Sequence, residues 1–315
     1  MSTRAGRAAA TALVVALFPV LGGVGASLYV FRHETLLPAV TAAAPVAAPV
    51  SKTYLGAIST NIGSFTKAVG QKPNLAVRYF NWGAQPPANF VEQSAAAGAV
   101  SLLELEPRSI GLRKIIAGRG DGYLKRVGKA LAATHSRVML SFAPEMNGRW
   151  YRWGFTHRTA RVFRRAWRHV YREVTKVPGT KIIWVWQISH KFPRSEALHP
   201  LWPGGKYVSM IGIDGYYESR HNTFHTIFGS TIKILRRFTA KPVMITETSV
   251  GQLAGKAAKI PGLFDGMRRF DVRGINWFDI NQYRGVHHQR WRLEGHPAAV
   301  AAFRKGLQEW EQAEK

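Results

Sequence analysis

Asp and Glu make up only 18 of the 315 residues, and two of the glutamates stand where apolar runs give way to polar, ring-rich stretches. Glu145 follows "RVMLSF" in "FAPEMNGRWYRWG", among Asn147, Trp150, Tyr151 and Trp153, and Glu247 sits in "MITETS". One carboxylic acid can protonate a leaving oxygen while a second carboxylate attacks or activates water, which is the division of labour in glycoside hydrolysis. Neighbouring Trp and Tyr suit a sugar, because a flat ring covers the C–H face of a pyranose while polar groups meet its hydroxyls.

Other acids and rings close similar runs. "ELEP" carries Glu104 and Glu106, "IDGYY" carries Asp214, Tyr216 and Tyr217, and "NWFDIN" carries Trp277 and Asp279. So many acids at the ends of apolar runs are costly to bury unless they share a polar cleft. Trp82, Trp150, Tyr151, Trp153, Tyr216, Trp277 and Trp291 are the candidate sugar-facing rings, each with core packing as its ordinary alternative. Glu106 reads either as cleft lining or as half of a structural ion pair. Arg78 and Tyr79 close a further run, where Arg78 either orients the nucleophile or a sugar 2-hydroxyl, or forms an ion pair within the fold.

Several chemistries drop out. There is no cysteine, so a thiol nucleophile, disulfides and thiolate metal sites are excluded. Serines near glycines do not form the Gly-x-Ser-x-Gly elbow of a serine hydrolase. His221 with His225, and His287 with His288, have no acidic motif beside them, and the expected hydrolysis requires neither metal nor cofactor.

The acids need a scaffold that brings run ends together. Eight β-rich runs occur: Tyr54 to Thr60, Leu75 to Trp82, Ala99 to Pro107, Arg137 to Glu145, Lys181 to Ile188, Val208 to Tyr217, Lys241 to Ser249 and Gly274 to Asn281. Several are nearly continuous in apolar residues, as strands buried on both faces are. Helical patterns lie between them, among them "DGYLKRVGKALAATH" with Asp121 as its cap, "TARVFRRAWRHVYREVTK" and "TFHTIFGSTIKILRRF". Alternating strand and helix over residues 53–315 predicts an α/β fold, a single (β/α)8 barrel, with a doubly wound open sheet as the runner-up. In a barrel the fourth and seventh strands stand on opposite sides of one mouth, so Glu145 and Glu247 face each other there.

The N-terminal residues differ in kind. Arg4 and Arg7 precede an uncharged apolar segment from Ala8 to Phe31, longer than the roughly 20 residues that span a bilayer. Residues 1–31 therefore read as a signal anchor, or as a cleaved signal peptide with a small-residue site at Val24 to Ala26. Residues 32–52 form an Ala/Pro-rich linker. Export to the cell surface or the extracellular space follows as the expectation. Lys and Arg total 44, giving a net charge of +26, which favours anionic wall polymers or membrane surfaces. Arg161, Arg164, Arg165, Arg168 and Arg172 recur at helical spacing as a solvated face or an anion site. The cations are scattered over outer helices, so nucleic acid is not the expected partner, and a monomer is.

"APEMNGRWYRWG" resembles the acid/base motif of glycoside hydrolase family 26, whose usual form is His-Glu-Met-Asn-Gly followed by Trp, an aromatic residue and Trp-Gly. "GRGDGYLKRVGKAL", "IIWVWQ", "YVSMIGIDGYY", "KPVMITETSVG" and "INWFDIN" resemble the same family in order and spacing. The resemblance implies that Glu145 is the general acid/base and Glu247 the nucleophile of a retaining double displacement, with a carboxyl separation of about 5 to 5.5 Å. It further implies that Tyr216 bonds the nucleophile, Trp277 is the stacking platform and Trp150 lines the neighbouring subsite. The substrate would be β-linked polysaccharide, a β-mannan or mixed-linkage β-glucan. Two positions depart: Pro144 stands where the family has histidine, and Leu105 where a tryptophan is common. The non-hydrolytic alternative is a carbohydrate-binding barrel that has lost turnover.

Overall fold

A strand that is apolar on both faces can only be buried between two layers, and eight such strands bury one another best by closing. The computed structural model describes residues 14–15, 30–31, 53–154, 160–190, 198–282 and 289–313. The strands are β1 (Tyr54–Ser59), β2 (Leu75–Asn81), β3 (Val100–Glu106), β4 (Arg137–Phe142), β5 (Lys181–Ser189), β6 (Met210–Asp214), β7 (Val243–Thr248) and β8 (Val272–Asp279). All pair in parallel in sequence order, and β8 closes the barrel on β1 from Gly274 opposite Tyr54 to Asp279 opposite Ser59. The expected (β/α)8 barrel is the fold, and each of the eight strands lies within or against its expected run.

Helices surround the barrel: α1 (Ile62–Val69), α2 (Ala88–Ala96), α3 (Leu112–Ile116), α4 (Asp121–Ala133), α5 (Ala160–Thr175), α6 (Leu198–Leu201), α7 (Ser230–Leu235), α8 (Lys256–Arg269) and α9 (Pro297–Ala313). In α5 the apolar stripe of Phe163, Ala166, Trp167, Val170 and Val174 is buried, while Arg161, Arg165 and Arg172 are exposed. Arg168 is used internally, donating from Nε to the Pro203 carbonyl at 2.8 Å and lying over the Tyr207 ring. Asp121 does not cap α4. It is the first helical residue, after Gly120, where its charge still meets the positive helix end, and its Oδ1 lies 2.6 Å from His169 Nε2 on α5.

Strand parity sorts the side chains. Leu75, Val100, Leu102, Met139, Val185, Met210 and Met244 fill the barrel interior, whereas Leu103, Leu140, Phe142, Trp184, Trp186, Ile211 and Ile245 face the helices. The inward positions beyond these fillers carry Tyr79, Glu104, Gln187 and Asp214 at the C-terminal mouth. Outside the barrel, Val14–Val15 pairs antiparallel with Val30–Phe31. The rest of the expected anchor segment and the linker lie outside the described residues. Among the described residues no helix is long and apolar enough to cross a membrane.

Candidate active site

Glu145 is held by its own loop. After β4 the backbone takes positive φ at two non-glycine residues, Ala143 (50°) and Glu145 (52°), a conformation that costs about 1–3 kcal/mol per residue and persists only where the surroundings fix it. The fixing bonds are present. The Ala143 amide donates to the Leu105 carbonyl at 2.9 Å and the Glu145 amide to the Gln187 carbonyl at 3.1 Å. Trp153 donates from Nε1 to the Pro144 carbonyl at 2.7 Å. Asn147, fully buried, donates to the Ser189 carbonyl at 2.6 Å and accepts from the Ser189 amide at 2.9 Å, tying the loop to β5. A Cβ on Gly148 would sit 2.3 Å from the Trp150 ring, so glycine is needed for that ring to fold back over the loop. Trp150 Nε1 then donates to Glu145 Oε2 at 2.8 Å.

Glu247 reaches the cleft through an irregularity. Simple alternation along β7 would send it outward with Val243 and Ile245. The register shifts by one residue after Ile245 against both neighbours, with Asp214 opposite Glu247 on β6 and Trp277 opposite Thr248 on β8. This bulge turns two consecutive side chains inward. Thr246 donates to Asp214 Oδ1 at 2.6 Å, and Glu247 receives the hydroxyls of Tyr79 on Oε2 and Tyr216 on Oε1. A Cβ on Gly212 would meet Thr246 at 2.6 Å, so the bare backbone there makes room for the bulge.

The two glutamates line one cleft with Tyr79, Glu104, Glu106, Arg108, Pro144, Tyr151, Gln187 and Asp214. Five of the lining residues are acids in a chain that has only 18, so the cleft gathers carboxyl groups that the rest of the chain largely lacks. Below the pair, Gln187 spends both amide hydrogens on acids, 2.8 Å to Asp214 Oδ2 and 3.1 Å to Glu104 Oε2. Burial first, then neighbouring carboxylates, push Asp214 and Glu104 well above the usual carboxylate range. Burial and the Glu247 charge likewise hold the Tyr79 and Tyr216 phenols well above 10, so both remain donors. Glu106 lines the cleft and is also ion-paired: Arg108 meets it at 2.7 and 2.8 Å and lies over Tyr151 and Trp153, which stack with centroids 4.4 Å apart.

Several expected site residues lie elsewhere. Trp277 faces the helices with Ile275, fully buried and edge-on to Phe303 of α9 at 5.2 Å, so it is no platform for a sugar. Trp82 is packed against Tyr123 of α4 at 5.0 Å and Phe142 at 6.3 Å. Arg78 also points outward, its guanidinium 4.5 Å from the Phe90 centroid, while its neighbour Tyr79 is the residue that meets Glu247. Asn147 and Trp153 are buried loop supports rather than cleft surface. Trp291 backs Tyr216, with centroids 5.0 Å apart, and is itself buried. Trp150, Tyr151, Tyr79 and Tyr216 are the rings at the acids.

Asp279 is also structural. It accepts the Leu293 amide at 2.7 Å and the Ser59 hydroxyl at 3.3 Å, and burial with the Glu294 contact raises it to about 8. Gln187, Thr246 and Arg108 were not singled out by sequence; of these only Gln187, a lone amide inside "IIWVWQIS", carried a signal. His221 and His225 are exposed, and His287 and His288 lie outside the described residues. Among the described residues the side chains that could meet around a cation are Asp121, His169 and Glu173, none of which lines the cleft.

Residues 122–260 match the profile of Glycosyl hydrolase family 26. Endoglucanase H of Acetivibrio thermocellus is 25% identical over 266 residues; these are 78% of this chain and 29% of that protein, so the chain spans under a third of its relative's length. Among solved structures, a family 26 β-mannanase from Bacteroides ovatus superposes with a TM-score of 0.62 at 13% identity, covering 82% of this chain and 89% of that one. An endo-β-1,4-mannanase from Cellulomonas fimi gives 0.63 at 12% identity, covering 81% and 70%. At such identities these two likenesses are of fold. The matched segment contains Glu145, Asp214, Tyr216 and Glu247, so the part of the barrel that carries the cleft acids is the part similar to Glycosyl hydrolase family 26.

Proposed function

We propose that this protein is an endo-acting, retaining β-glycosidase that cleaves a β-linked polysaccharide of the mannan or mixed-linkage glucan type. The observation that carries the reading is one cleft holding two differently dressed glutamates: Glu145 under the Trp150 indole, and Glu247 between two phenol donors. Two hydroxyls on Glu247 fix its direction, as a nucleophile requires. Its carboxylate attacks the anomeric carbon while Glu145 protonates the departing glycosidic oxygen, leaving a glycosyl ester. Glu145, now a carboxylate, takes a proton from water, whose oxygen displaces Glu247 and releases the sugar with its original anomeric configuration.

Pro144 beside the acid, where the family motif that this chain resembles usually has histidine, removes one hydrogen-bond donor and favours glucan over mannan. The relative named an endoglucanase points the same way. Incubation with mannan, mixed-linkage glucan, β-1,3-xylan and cellulose tests the reading. Reducing ends should appear with one of the first two and vanish in Glu145→Ala and Glu247→Ala. Saturable polysaccharide binding with no reducing ends from any polymer would instead identify a non-catalytic carbohydrate-binding barrel.

The reading includes export by the apolar segment after Arg4 and Arg7, and retention at an anionic wall or membrane by cations such as Arg161, Arg165 and Arg172 on α5. Retention of the exported protein on isolated walls should weaken as salt shortens the screening length to a few ångströms. Unchanged retention would remove the electrostatic part of the proposal.

A further inference from the structure

The helical layer is thin over β2. Residues 76–79 in its centre are all partly exposed, whereas β3, β6 and β7 are buried along their whole length. The β1–β2 seam is the least paired in the barrel, with Gly56 opposite Leu75 as its one ladder contact. Behind this seam, between β2 and helices α1 and α2, lies a cavity of about 410 Å³. That volume falls within the range of small-molecule sites. Ala57, Ile62, Ala76 and Phe90 give it an apolar wall, and Lys72 stands exposed at its edge.

Arg78 is the unusual member of the lining. Its guanidinium is half-buried and rests on Phe90, and no carboxylate pairs with it among the described residues. Burial alone moves it, downward from the ordinary arginine range. A cation withdrawn from water without an anion is costly, and an anion brought in by a ligand would recover that cost. We infer that this cavity binds an amphipathic monoanion, an acyl-chain carboxylate whose head meets Arg78 and whose tail lies along the apolar wall. The linker at residues 36–52 is apolar enough to lie there but contains no acid to answer Arg78. The cavity meets the acid cleft at Tyr79, which lines both, while Arg78 and Phe90 lie on its helix side; the titration reads binding alone, so the inference holds or fails independently of the hydrolase reading.

Calorimetric titration of the full-length protein with laurate, below its micelle concentration, tests it, with dodecanol as the tail alone and acetate as the head alone. Laurate should bind saturably at one site and dodecanol about tenfold more weakly, the worth of a hydrogen bond to a charged group. Arg78→Leu should bring laurate down to the dodecanol level. Gln93→Glu, on the exposed rim of α2, should also weaken laurate while sparing dodecanol, and it carries the test if Arg78→Leu does not fold. Equal binding of laurate and dodecanol, or laurate binding indifferent to both variants, would overturn the assignment. Binding that appears only after residues 36–52 are deleted would overturn it too, since the chain would then fill its own groove.

Discussion

Tyr79 and Tyr216 each donate to a different oxygen of Glu247, Tyr79 from β2 onto Oε2 and Tyr216, two residues past the end of β6, onto Oε1. Each phenol is held protonated by burial and by the carboxylate it serves, so each acts as a fixed donor. Replacing either by phenylalanine keeps the ring and removes one bond to a charged group. We expect kcat to fall about 10- to 100-fold with a smaller change in KM, since the bond orients the Glu247 carboxylate rather than the substrate. Steady-state kinetics on the hydrolysed polymer, with thermal melts to show that folding is intact, check this. A change confined to KM would assign the tyrosines to substrate binding.

Trp277 gives a prediction of the opposite kind. Fully buried against Phe303, it holds β8 to α9, and Trp277→Ala should destabilise the fold by about 3–5 kcal/mol. Denaturant unfolding measures it. A variant that melts like the parent but binds polysaccharide poorly would place this ring in the cleft after all.

The buried acids under the site should make stability fall as pH rises. Glu104 has its folded value raised, so above the ordinary carboxylate value of 4.5 the native state keeps a proton that the unfolded chain has lost. The slope of unfolding free energy with pH follows protons bound unfolded minus protons bound native, and is therefore negative across that window. The parent's contribution from Glu104 is present below pH 4.5 and is lost as pH climbs towards the raised folded value. Glu104→Gln removes this titration while keeping an acceptor for Gln187. Its melting temperature should decline less than the parent's between pH 4.5 and pH 8, and parallel declines would show that Glu104 does not titrate in this way.

Sequence alone carried the strands, because eight runs apolar on both faces have few ways to be buried, and it carried Glu145 and Glu247, because ionised groups closing such runs need a polar mouth. It did not carry phase. In a strand apolar on both faces nothing in the pattern says which residues point inward, so the sequence leaves Arg78, Trp82 and Trp277 as cleft candidates beside their structural alternatives, whereas their side chains face the helices. The bulge at Thr246 and Glu247 works in the other direction, bringing inward a residue that alternation would have turned away. Gln187 and Arg108 escaped notice because their importance lies in the acids they meet, and those partners are distant or ambiguous in the chain.

The anomer released in the first minutes of hydrolysis tests the central claim most directly. Proton NMR of the anomeric signals, followed from mixing, should show the β-configured reducing end growing first and the α form appearing only by mutarotation, since two displacements at one carbon restore its configuration. Early release of the α anomer would mean that water attacks the sugar directly, and Glu247 would not be the nucleophile.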